Sequence, residues 1–125
     1  MRRYILLMAA MFMAVMFGMS GTASADMKAK GMVMVGTVID TKCATDNKAD
    51  LAAFIKTHTK ECAMLPPCHA SGYNLYYEGK LIKFDKKSSD KVFDFLKKAD
   101  SKLDVKVKAS HNKDGTLKLM EISNA

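Results

Sequence analysis

The chain has 125 residues, of which 49% are hydrophobic, and a formal net charge of +7 at pH 7. Lysine supplies almost all of the basic charge, because the two arginines, Arg2 and Arg3, both lie at the start of the chain. Nucleic-acid sites usually depend on the bidentate hydrogen bonds of arginine. The composition therefore argues against nucleic acid as a partner.

Residues 1–25 have the layout of a cleavable secretory signal. Two basic residues precede an apolar run from Tyr4 to Met19, and Ala23 and Ala25 form the small-x-small pair that signal peptidase requires. The apolar run is shorter than the roughly 20 residues that span a bilayer. We predict cleavage before Asp26, a periplasmic or secreted protein, and no stable membrane span after cleavage.

Removal of this segment leaves 100 residues, with a net charge of +5 from 18 lysines and 13 acidic residues. Six of the eleven methionines are lost with it, so the methionine content gives no support to a methionine-rich metal site. A chain of this length forms one domain of ordinary size. We predict a flexible entry at residues 26–31 and a single domain over residues 32–125.

Local patterns predict five strands and one main helix. The β-branched run Met32–Ile39 is typical of a buried strand, with Gly36 at a bulge or bend. Residues 73–84 form two strand-like runs around Glu78-Gly79, and residues 103–122 alternate on both sides of a turn at Gly115, so each segment predicts a hairpin. Between the hairpins, a helix capped by Ser88 or Ser89 and extending to about Ala99 is expected.

This order predicts a mainly β fold, a five-stranded OB-like Greek-key barrel. The main helix lies between strands 3 and 4, and a cysteine-rich insertion, residues 41–72, joins strands 1 and 2. Within the insertion, residues 50–57 have helical spacing, and Pro66-Pro67 is expected to stop any helix. The alternative fold is an open α+β sheet with the helix packed on one face.

The insertion contains the residues with distinctive chemistry. If the segment from His58 to Cys62 is helical, its four-residue spacing places the imidazole and the thiol on one face. Cys43 and Cys68 complete a candidate metal site of three sulfurs and one nitrogen, with His69 as a substitute ligand. Such a set suits zinc or monovalent copper. The corresponding function is an exported metal-binding or redox-sensitive module.

Two other interpretations of the same residues stay open. Oxidising compartments convert nearby cysteines into disulfides, so the cysteines could staple a structural or interaction module that binds a protein partner. The closest pair in sequence is Cys62 and Cys68, and Cys43 could pair with either. The Cys68-His69 sequence also resembles the end of a c-type haem site, although the spacing from Cys62 differs from the usual one and makes haem an unfavourable interpretation.

An enzyme is not indicated, because the sequence contains no Ser-His-acid arrangement, no phosphate-binding loop and no close carboxylate pair with motif support. The motifs that are present are Asp-x-x-Cys at Asp40–Cys43, His-x-x-x-Cys at His58–Cys62, a third cysteine at Cys68 and the hairpin at residues 73–84. Over about Gly36 to Ile122 they resemble a group of small exported bacterial domains of uncharacterised function. The resemblance implies an OB-like strand pattern, and it implies that the cysteines and the histidine act as a set.

Overall fold

A computed structural model describes residues 31–125 of the chain. The predicted signal peptide, residues 1–25, and all but the last residue of the predicted entry lie outside the described residues. Among residues 31–125, no helix has the length and apolar character needed to cross a membrane.

The described chain contains five strands and five α-helices. The strands are β1 (Met32–Asp40), β2 (Tyr73–Tyr77), β3 (Lys80–Lys83), β4 (Asp104–His111) and β5 (Leu117–Asn124). Four short helices follow β1, namely α1 (Thr41–Asp46), α2 (Leu51–Thr57), α3 (Lys60–Ala63) and α4 (Pro66–Ala70), and α5 (Lys86–Leu96) lies between β3 and β4. The predicted element order, including the helical insertion after the first strand, is therefore confirmed.

The strands form one antiparallel sheet in the order β3-β2-β1-β4-β5. The central strand β1 pairs with β2 at its C-terminal end, where Asp40 lies opposite Tyr73, and with β4 at its N-terminal half. A parallel bridge between Phe84 and Leu117 links the two edges. The sheet agrees with the open α+β alternative, and the closed OB barrel is not confirmed. Helices and strands contribute about equally, so the mainly β description was wrong.

The core lies between the sheet and α5. Val92, Phe95 and Leu96 recur at helical spacing and are buried, so one stripe of α5 faces the strands. The cluster of buried side chains among the described residues comprises Met34, Val38, Ala63, Tyr73, Leu75, Phe84, Val92, Phe95, Leu96, Val105, Val107, Ala109, Leu117 and Leu119. Removal of this apolar surface from water is the main stabilising contribution to the fold.

The start of α5 differs from the sequence prediction. Asp85, rather than a serine, is the N-cap, and its Oδ1 accepts a hydrogen bond of 2.8 Å from Ser88 N. The two serines instead connect the helix to the sheet. Ser88 Oγ accepts from Leu119 N at 2.8 Å, and Ser89 Oγ accepts from Tyr73 N at 3.1 Å. The serine hydroxyls accept hydrogen bonds from strand amides, and Asp85 caps the helix.

Both predicted hairpins are present. Glu78 and Gly79 have φ angles of 49° and 76°, the left-handed pair of a tight two-residue turn. Gly36 is not at a bulge, because β1 pairs without interruption there and the register shift lies between Lys108 and Ala109. A Cβ atom at Gly36 would lie 2.5 Å from Tyr76 O, so the glycine permits close approach of the neighbouring backbone.

Candidate metal centre

The three cysteines occupy equivalent positions, each the third residue of a short helix. Asp40 caps α1, and its Oδ2 accepts a hydrogen bond of 2.8 Å from Cys43 N. Thr59 caps α3, and its hydroxyl accepts from Cys62 N at 3.2 Å. Cys68 is the third residue of α4. The caps fix the start of two of these helices, and with it the direction of each cysteine side chain.

The proline pair separates two helices. The helix α3 ends at Ala63, before the pair, and Pro66 and Pro67 are the first two residues of α4. Proline is well suited to this position, because its fixed φ matches the helix and its missing N–H has no partner in the first turn. The pair therefore starts the helix that contains Cys68.

The segment from His58 to Cys62 is not one helix. His58 ends α2, where its N–H donates to Phe54 O at 2.9 Å, and its own backbone is extended with ψ of 134°. Thr59 then caps the separate helix α3. His58 and Cys62 meet through this change of chain direction and not through the spacing of one helix.

Two overlapping groups of possible metal ligands result. Ligand atoms of Cys43, His58 and Cys62 all lie within 4.8 Å of one another, and so do those of Asp40, Cys43 and Cys68. The Sγ atoms of Cys43 and Cys62 are 3.9 Å apart. Three of the four predicted ligands therefore form one group. The fourth, Cys68, belongs to the second group, which shares Cys43 with the first. Cys/His/Asp groups in this protein lie close enough to bind a metal ion.

His58 and Asp40 form a buried pair behind the thiols. Their side chains are 1% and 0% exposed, and His58 Nε2 lies 3.1 Å from Asp40 Oδ1. An ionised carboxylate can only accept hydrogen bonds, so Nε2 is the donor and a neutral ring has its lone pair on Nδ1. His58 Nδ1 is buried and has no hydrogen-bond partner among residues 31–125.

The ionisation of these groups reflects their burial and mutual contact. Burial acts to raise the pKa of Asp40, but hydrogen bonds from His58, from the Cys43 backbone and from the Cys43 and Cys68 thiols hold it below its ordinary value of 3.8. Burial, reinforced by the Asp40 carboxylate, raises the pKa of both the Cys43 and the Cys68 thiol. Both thiols are thus protonated at neutral pH without a cation, and metal binding must release their protons.

All three cysteines are free thiols. The Sγ atoms of Cys43 and Cys62 are 3.9 Å apart, and those of Cys43 and Cys68 lie within 4.8 Å of each other. Cys43 is therefore the cysteine that either of the other two can approach for a disulfide.

His69 lies apart from these donors. Its ring stacks on Phe93, with ring centroids 3.7 Å apart and an interplanar angle of 15°. Among the described residues, neither ligand group includes His69. Its proposed use as a substitute ligand, and the c-type haem alternative with Cys62 and Cys68, stay predictions from sequence.

Asp40 was not among the site residues predicted from sequence. It contacts Cys43 through the helix cap, His58 through Oδ1, and Cys68 within the second ligand group. The signal that could have revealed it is the Asp-x-x-Cys motif, because an aspartate three residues before a cysteine can be the N-cap of a short helix.

A lysine holds the Cys62 helix against the rest of the molecule. Lys60 Nζ donates to the carbonyl oxygens of Lys98 and Ser101 at 3.1 and 3.0 Å. A cavity of about 510 Å³ is lined by this lysine, His58 and Asp104. Through Lys60, the segment that follows α5 helps to position the site.

Comparisons of the chain with protein-family models, with curated proteins and with solved structures find no match. The function therefore has to be inferred from the chemistry of the site. Two thiols and an imidazole with a free lone pair can bind a soft or borderline metal ion.

Proposed function

We propose that this protein is an exported metal-binding protein whose primary ligands are Cys43, His58 and Cys62. The observation that carries the proposal is His58 Nδ1, which is buried and lacks a hydrogen-bond partner among residues 31–125. A buried polar nitrogen without a partner is costly. A metal ion bound by this nitrogen would satisfy it.

The donor chemistry supports zinc or monovalent copper. Soft thiolates favour both ions, and imidazole suits them as well. Metal-binding histidines almost always donate their second ring N–H to a carboxylate or carbonyl, which fixes the ring orientation. The His58–Asp40 hydrogen bond is an arrangement of this kind. For zinc, a fourth ligand would complete the usual tetrahedral coordination.

The test is a Zn²⁺ titration of the reduced protein against a competing chromophoric chelator. His58→Ala and Cys43→Ser should each weaken binding by more than the roughly 10–100-fold typical of losing an outer-shell partner. His111→Ala is the matched control, because His111 is exposed on β4 and should leave binding unchanged. Absence of Zn²⁺ and Cu(I) binding, or equal affinity in all variants, would contradict the proposal.

The 3.9 Å separation of the Cys43 and Cys62 sulfurs favours redox sensitivity as a second candidate function. Oxidation of this pair would form one S–S bond and transfer two protons and two electrons to a thiol-oxidising partner in the compartment to which the protein is exported. Thiol alkylation and mass spectrometry after purification without reductant distinguish the two functions. A Cys43–Cys62 disulfide in the protein from its own host would favour the redox role over metal binding.

We also propose a periplasmic or secreted location, membership of the group of small exported domains and an OB-like barrel. The predicted signal supports a periplasmic or secreted location, and the motif resemblance supports membership of the group of small exported domains. An OB-like barrel is supported by the parallel bridge between Phe84 and Leu117 and by the 2.9 Å hydrogen bond from Asp85 N to Leu117 O. Both contacts join the chain after β3 to β5, the edges that barrel closure would unite.

A further inference from the structure

The second ligand group is not needed for the binding proposed above. Asp40, Cys43 and Cys68 offer ligand atoms within 4.8 Å of one another, and this group shares only Cys43 with the first. Asp40 and Cys68 are 0% and 5% exposed. Both are thus enclosed by the fold rather than part of a surface cluster.

We propose that the site binds two divalent cations, with the Cys43 thiolate as a bridge between them. The first cation lies between Cys43, His58 and Cys62, and the second between Asp40, Cys43 and Cys68. This inference rests on the proposed function, because it requires that the first group binds metal.

Asp40 has the capacity to bind a cation in addition to its present contacts. An ionised carboxylate offers about four lone-pair positions. When the thiols are deprotonated two of these are used, one by His58 Nε2 at 3.1 Å and one by Cys43 N at 2.8 Å. A thiolate sulfur likewise has more than one lone pair, so the Cys43 sulfur can bind two soft or borderline ions at once.

The balance of charge also favours a second cation. One divalent cation in the first group balances the thiolates of Cys43 and Cys62. The ionised Asp40 is then buried with hydrogen bonds but without a counter-charge. A second divalent cation balances Asp40 together with the Cys68 thiolate, and the set of four acidic groups becomes neutral.

Native mass spectrometry of the reduced protein with Cd²⁺ as the probe tests the inference. The unchanged protein should bind two Cd²⁺ ions, and Cys68→Ser should bind one. Cys43→Ser should lose the tight binding of both. His111→Ala is the control for adventitious surface binding and should retain two ions.

Cadmium NMR of the unchanged protein supplies a measurement that needs no variant. Two resonances, coupled through a common sulfur, are expected. A single bound Cd²⁺ that Cys68→Ser retains would overturn the second position and leave the proposed function intact. Two ions that survive Cys68→Ser would also overturn it, whereas no bound Cd²⁺ would contradict the proposed function itself.

Discussion

Replacement of Asp40 by asparagine should weaken metal binding without unfolding the protein. Asparagine caps a helix about as well as aspartate, so its side-chain oxygen can keep the 2.8 Å hydrogen bond from Cys43 N. The amide NH₂ then faces His58 Nε2, which must accept instead of donate. That change moves the ring proton to Nδ1 and removes the lone pair that the metal needs.

The opposite orientation of the asparagine amide is also unfavourable for the hydrogen bonds of this site. With its oxygen towards His58, the NH₂ group faces the Cys43 N–H, and two donors meet at the start of α1. For the cation at Cys43, His58 and Cys62, the expected loss is that of an outer-shell partner, about 10–100-fold in affinity, or about 1.4–2.7 kcal/mol. The amide also removes the negative charge that attracts the cation.

The assay is competitive Zn²⁺ titration of Asp40→Asn, with nitrogen NMR of the His58 ring to identify its tautomer. Asp46→Asn is the matched control on the same helix, because Asp46 is exposed and pairs with Lys42 at 2.8 Å. Circular dichroism should show the native fold in both variants. If Asp40→Asn binds Zn²⁺ as tightly as Asp46→Asn, or if the ring tautomer is unchanged, the reasoning about the pair is wrong.

Three further predictions concern stability. Tyr73→Phe removes the 2.8 Å hydrogen bond to Ala63 O and should lower the free energy of unfolding by about 1 kcal/mol, measured by urea denaturation. Asp85→Ala removes the cap of α5 and should cost about 1 kcal/mol in the same assay; an equal stability would contradict the assigned cap. Because the folded-state pKa of Cys43 lies above its ordinary value of 9.0, its stabilising contribution is present below pH 9 and is lost as pH rises further. The melting temperature of the metal-free protein should therefore fall above pH 9, and Cys43→Ser should reduce that fall.

The order of elements could be predicted from sequence because each element has a local signal. Alternation at residues 103–122 and the Glu78-Gly79 turn indicate hairpins through backbone preferences that need no distant partner. Helix ends were less predictable. The choice of Asp85 over the two serines depends on the strands that those serines bind, and such contacts cannot be derived from local propensity.

The sequence by itself also indicated four of the five residues of the two ligand groups, because Cys43, His58, Cys62 and Cys68 share one segment between two strands. Tertiary structure decided how they combine. The end of β1 places Asp40 beside His58 and both neighbouring thiols, and the break after α2 turns the imidazole towards them. These contacts join residues far apart in the chain, so packing decided which His58 nitrogen is free and which cysteine is shared.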